Sequence, residues 1–175
     1  MCTKKTAIIS VRVGADTKNK LEIESEMKSM TLNTLIGQII TKHTSWDRFA
    51  EDIGFVFLTK PFLRAILSHV PEKDMTNIAV TVCRGAMKDA TIYMYGELTV
   101  DTFIKSLDAW LAASHIPFRH IHNDDVDKYI VQHELGNVFS SYLITVINAI
   151  LNEFKCHAAK QEITDQSVSF VIAKV

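Results

Sequence analysis

The chain has 175 residues, 47% of them hydrophobic and 22% charged, with a formal net charge of −1. That balance belongs to a folded globular protein of one or two domains and excludes a disordered chain. The most apolar run, "YLITVINAIL", is too short for a bilayer span of about 20 residues.

The opening "MCTKKTAIIS" lacks the apolar core and small-residue cleavage site of a secretory signal, so a cytoplasmic protein with no membrane partner is expected. Cys2, Cys83 and Cys156 are odd in number, widely spaced and without a CxxC pair, which favours reduced thiols over a disulfide framework. Charge is unevenly spread. Residues 1–48 hold eight Lys/Arg against five Asp/Glu, and the remainder holds eleven against fifteen. A basic N-terminal excess suggests that this part meets an anion.

From Ala7 to Val13 the residues alternate. Ile9, Val11 and Val13 point one way and Ile8, Ser10 and Arg12 the other, the period of a half-buried strand. Gly14 ends it, and Asp16 or Thr17 caps a helix running to about Met30. Thr31 caps a second, in which Leu32, Leu35, Ile36, Ile39 and Ile40 recur at helical spacing, with a continuation through Trp46, Phe49 and Ile53 until Gly54. "FVFLTK" reads as a short strand or a connector. "PFLRAILSHV" and "PEKDMTNIAVTVCRGAMK" begin with Pro, as helices tolerate in their first turn. "TVDTFIKSLDAWLAASH" is a helix with Phe103, Ile104, Leu107, Trp110 and Leu111 on one side. "FRHIHNDDVDKYIVQHEL" reads as a hairpin, "GNVFSSYLITVINAILNEF" as a long apolar helix, and the segments around Asp165-Gln166 as a second hairpin.

A lone strand raises the question of its partner, because unpaired buried backbone groups are costly. The same strand of a second copy is the economical answer. One strand followed by two helices within a short span, "ISVRV" and then "MTLNTLI", resembles the ribbon-helix-helix superfamily, the fold of the Arc, MetJ and CopG repressors, over residues of about 5–45. The resemblance implies an intertwined dimer whose two-stranded ribbon enters the major groove of double-stranded DNA. Carried over by position, Ile8, Ser10 and Arg12 read bases: Arg12 forks to guanine, Ser10 donates or accepts, and Ile8 meets a thymine methyl. Thr31, Leu32 through its amide, and Asn33 hold a phosphate at the second helix start, and Lys4 and Lys5 add sequence-independent attraction.

Other constellations carry less. Pairing the first hairpin across "NDDVD" puts residues 118, 120 and 122 on one face with 132, 130 and 128, which separates His133 from His120 and His122. No metal or cofactor is therefore expected. His120 and His122, at i and i+2 on a strand, are the nearest approach to a metal pair. Asp124, Asp125 and Asp127 lack the EF-hand spacing and read as a solvated turn. His133 and Ser140 form no GxSxG elbow, so a helix start is the plain reading of "HELGNVFSSYL". No paired carboxylates, nucleophile motif or phosphate loop stands out, and an enzyme is not expected.

The expected fold class is α+β. Residues 1–53 form a ribbon-helix-helix domain, and residues 54–175 form a mixed domain with two β-hairpins flanking a long helix, for sensing or oligomerisation. The expected function is a homodimeric, sequence-specific transcriptional regulator, acting as a repressor. Its second domain leaves room for tetramer formation and for a small-molecule effector. Two alternatives stand beside it: a dimeric assembly or partner-binding protein in which the first domain only dimerises, and a metal-responsive regulator.

Overall fold

The computed structural model describes residues 7–123 and 125–173, apart from the side chain of Cys83. The chain is mixed α+β, and it divides into two compact units, Met1–Thr44 and Ser45–Val175.

The first unit contains two helices. Helix α1 (Ala15–Met27) follows Gly14, and Asp16 in its first turn complements the positive end of the helix dipole. Lys18–Glu22 and Glu24–Lys28 are exposed pairs one helical turn apart, each contributing about 0.3–0.5 kcal/mol. The helix closes without the usual glycine. Ser29 takes the left-handed conformation (φ 52°), and the Ser29 and Met30 amides donate to Glu26 and Ser25 carbonyls, satisfying two otherwise open helix-end carbonyls. Helix α2 (Leu32–Lys42) begins at Thr31, whose Oγ1 accepts from the Thr34 amide at 3.1 Å. Leu35 and Ser25 are the buried residues of these two helices.

The expected N-terminal strand does not form within the single chain. Residues 7–14 carry no regular secondary structure and are exposed, and the four-stranded sheet lies entirely C-terminal to Pro117. A strand exists only through its ladder, and among the described residues no strand of this chain pairs with this segment.

After α2 a π-helical turn, His43–Asp47, leads into α3 (Arg48–Ile53), which stops at Gly54 in the left-handed conformation (φ 85°). Residues 55–59 are a connector rather than a strand. Helix α4 (Lys60–Leu67) carries Pro61 in its first turn. Helix α5 (Glu72–Ile78) passes through a second π turn, Ala79–Cys83, into α6 (Arg84–Tyr95). Helix α7 (Val100–Ala113) opens with a reciprocal cap, in which Thr99 and Thr102 each accept the other's amide through their hydroxyls. It buries Phe103, Ile104, Leu107 and Leu111, as its spacing predicts.

The sheet consists of β1 (Phe118–His122), β2 (Val126–Gln132), β3 (Ala158–Ile163) and β4 (Ser167–Ala173), antiparallel and in the order β1-β2-β4-β3. Helix α8 (Asn137–Leu151) links the two hairpins. One sheet face is buried: Tyr129 and Val131 on β2, and Val168, Phe170 and Ile172 on β4, join Phe139, Leu143, Ile147 and Ile150 of α8 in a single core. At about 25 cal/mol per Å² of apolar surface removed from water, these large side chains dominate the stability of this unit. Cys156 is a free, buried thiol.

The register of the first hairpin corrects the sequence reading. His120 pairs with Tyr129 and His122 with Asp127, so residues 118, 120 and 122 share their face with 131, 129 and 127, not with 132, 130 and 128. The Asn123 amide donates to the Val126 carbonyl at 2.9 Å, which closes the turn one residue tighter than expected. Because side chains alternate with period two, that single step moves Asp127 to the helix-covered face, where it is fully buried rather than part of a solvated turn. Asp125 is exposed, and Asp124 lies outside the described residues.

Candidate functional site

Two places in the molecule gather chemistry, one in each unit. In the first unit the residues expected to read bases, Ile8, Ser10 and Arg12, are all exposed, with Ile8 97% open to solvent. Their neighbours Ile9, Val11 and Val13 are 69%, 67% and 52% exposed, so this segment leaves both of its alternating faces in water. Lys4 and Lys5 lie outside the described residues. At the start of α2, the Thr31 hydroxyl occupies the Thr34 amide. Leu32 and Asn33 are then the first two helical residues, whose amides have no acceptor within the helix and point along the positive end of its dipole. Asn33 is exposed and Leu32 half-buried. That arrangement suits a single anionic oxygen.

In the second unit α7, β1 and β2 bring together residues that the sequence reading kept apart. His120 Nδ1 lies 2.8 Å from Asp108 Oδ2, and His120 Nε2 lies 2.8 Å from Asp127 Oδ1. His122 Nδ1 lies 2.6 Å from the same Asp127 oxygen. The Tyr129 hydroxyl donates to Asp108 Oδ1 at 2.7 Å. The His120, Tyr129 and Phe170 rings stack in a row across β1, β2 and β4, with centroids 4.3 and 5.0 Å apart. Burial alone would lower the basicity of His120, but the hydrogen bonds and charges of Asp127 and Asp108 outweigh it, and its pKa is raised. The Tyr129 phenol is pushed well above its ordinary range by burial and by Asp108. Asp108 and Tyr129 escaped sequence reasoning altogether. The alternation on β2 could not reveal Tyr129, because Ile130 offers an apolar residue to the other face and the register is ambiguous without the turn, and Asp108 stands on α7, away from the strand pattern.

Comparison with known protein families, with curated proteins and with solved structures finds no match for the chain. Among the described residues, no helix is long and apolar enough to cross a membrane.

His133 and Ser140, the other pair raised by the sequence, are both fully buried. The Leu135 amide donates to His133 Nδ1, so the ring proton sits on Nε2, which donates to Ser140 Oγ at 2.9 Å. The Ser140 hydroxyl in turn donates to the Thr164 carbonyl at 2.6 Å. A general base would have to accept the serine proton, and here the proton order runs the other way. The pair ties the β2–α8 junction to the β3–β4 turn, alongside backbone bonds from His133, Glu134 and Gly136 to Gln166 and Asp165.

Burial first, and then the charge of Lys60, lower the His133 pKa to about 4, against smaller opposing effects of Asp165 and Glu134. The folded state thus holds this ring neutral while the unfolded chain protonates it near pH 6.5. The resulting stabilisation is present above about pH 6.5 and is lost as the pH falls toward 4, a contribution of about 3 kcal/mol. Urea unfolding at several pH values in this window should show that loss. His133→Gln, whose amide can accept from Leu135 and donate to Ser140, should flatten the dependence.

The second unit also holds an apolar cavity of about 250 Å³. Its lining includes Phe55, Met87, Phe103, Trp110, Tyr142 and Val146. It is a little below the usual size range of small-molecule sites and lies between helices, as such sites often do.

Proposed function

We propose that the chain is a homodimeric, sequence-specific DNA-binding protein of ribbon-helix-helix type that acts as a transcriptional regulator. The observation that supports this most is the segment of residues 7–13. It alternates apolar and polar residues and leaves Ile9, Val11 and Val13 exposed, and among the described residues no strand of its own chain pairs with it. Isolated exposed hydrophobes are ordinary, but a regularly alternating row of them asks for cover. A second copy supplies both missing elements at once. Its own segment completes an antiparallel ladder, and its helices cover the Ile9, Val11 and Val13 face together with Ile23, Ile39 and Ile40, all of which are exposed in the single chain.

The opposite face then carries Ile8, Ser10 and Arg12 twice, related by a two-fold axis, in a ribbon that fits the major groove. The Leu32 and Asn33 amides at each α2 start would hold a backbone phosphate on either side, which fixes register without reading sequence. Lys4 and Lys5 would add salt-dependent attraction. The second unit serves as the sensing or assembling part, and its apolar cavity supports a small apolar effector. Repression then follows from occupying an operator close to a promoter.

The deciding experiment is selection of bound sequences from a random pool of DNA duplexes with the full chain. Enrichment of an inverted repeat, with half-sites matching a two-fold dimer, is the expected result. Recovery of the starting pool without enrichment at low salt would leave a dimerisation module for assembly and would sink the regulator reading.

A further inference from the structure

We propose that His120, His122 and Asp127 form a binding site for one divalent metal ion of the zinc class, with Asp108 as a positioning residue behind His120. The site lies wholly in the second unit. The proposal goes beyond the DNA-binding reading and does not depend on it.

Strand pairing brings the three ligands together. His120 and His122 stand two residues apart on β1 and so share a face, and Asp127 sits directly across from His122 on β2. One nitrogen of each ring and one carboxylate oxygen of Asp127 all lie within 4.8 Å of one another. Asp127 has no exposure at all, whereas the His122 side chain is 61% exposed. The site is therefore anchored in the sheet and open on one side, which gives an ion a route of entry and leaves coordination positions for water or an anion.

Both His120 nitrogens face carboxylate oxygens at 2.8 Å each, Nδ1 toward Asp108 and Nε2 toward Asp127. An ion held by Nε2 leaves Nδ1–H to donate to Asp108. That leaves the carboxylate–histidine–metal relay which orients metal-binding histidines and raises their basicity. Asp108 is itself held by the Tyr129 hydroxyl, and the His120 ring is fixed by its stack on Tyr129, so the ligand is aimed before any ion arrives.

The donor set selects the metal class. Two imidazoles and one carboxylate suit zinc and its first-row neighbours, while calcium and magnesium call for more oxygens. Ligands about 2.1 Å from a tetrahedral ion stand about 3.4 Å apart. The Asp127 oxygen lies 2.8 and 2.6 Å from the two ring nitrogens, so those two separations must widen by less than about 1 Å, while the two ring nitrogens lie within 4.8 Å of each other.

The test uses the full chain, stripped with a chelator and titrated with zinc at micromolar protein, with cobalt as the spectroscopic probe. One ion per chain is expected, with a cobalt spectrum typical of four ligands. Zinc should shift the side-chain nitrogen resonances of His120 and His122 and leave those of His157, an exposed histidine on another part of the unit, in place. His122→Ala changes a largely exposed side chain and should keep the fold while losing affinity by about 100-fold. Asp108→Asn, which touches no ion, should lose about 10- to 100-fold. Sub-stoichiometric binding, unmoved His120 and His122 resonances, or affinity unchanged by His122→Ala would each overturn the site.

Discussion

On the proposed ribbon, Arg12→Ala is expected to lower affinity for the selected DNA sequence by roughly 30-fold to 20,000-fold while leaving the proposed dimer intact. A forked arginine–guanine contact discriminates by about 1–3 kcal/mol, and a two-fold dimer loses two of them at once. Arg12 is exposed and makes no ion pair among the described residues, so removing it should not disturb the single chain. Binding to unrelated DNA should change far less, because that attraction comes from phosphates. Thr31→Ala gives the contrasting signature. It removes the cap on the Thr34 amide and loosens the start of α2, so affinity should fall for all sequences alike, by a modest factor. The pair of variants, measured by fluorescence anisotropy on specific and scrambled duplexes across a salt series, separates base reading from phosphate holding. Equal losses on both duplexes for Arg12→Ala would remove it from the base-reading set.

Much of the architecture was legible along the chain because local chemistry fixed it. Thr31, through its hydroxyl, and Gly54, through its freedom to take positive φ, mark helix ends where expected, the α7 stripe faces the core, and both C-terminal hairpins form. Other features were not legible, for different reasons. The register of β1 against β2 rests on the length of one turn, and the apolar residues on both faces of β2 give alternation no purchase. That one-residue step hid the His120–Asp127–His122 arrangement, and the Asp108 contribution depends on how α7 packs on the sheet, which no local pattern encodes. The N-terminal segment poses the opposite problem. Its alternation reads clearly as a strand, yet the segment carries no regular secondary structure and, among the described residues, no strand of this chain pairs with it. In the proposed dimer the other half of the ladder would come from the second copy. The π turns at His43–Asp47 and Ala79–Cys83 also carry no spacing signal, since each adds one residue to an otherwise helical run.

Val11→Asp is the prediction with the most drastic outcome: the dimer should fall apart at micromolar concentration and specific DNA binding should vanish with it. Val11 sits at the centre of the alternating face that the proposed second copy covers. In the single chain it is 67% exposed, so a carboxylate there meets water and costs the monomer little. In the dimer the same carboxylate would leave water for an apolar interior, and the two-fold axis would bring its counterpart from the other copy close by. Desolvation and like-charge repulsion then act together, at several kcal/mol for each buried charge. The second unit has its own core, built from α7, α8 and the sheet, and its unfolding transition should be unchanged. Light scattering after size exclusion gives the mass, and denaturation followed by circular dichroism reports on the core. A variant that loses the dimer and DNA binding with its core intact is what the two-copy ribbon requires. A variant that keeps the parental mass and still binds its sequence would mean that Val11 faces solvent in the assembled protein, and the ribbon could not be built from this segment.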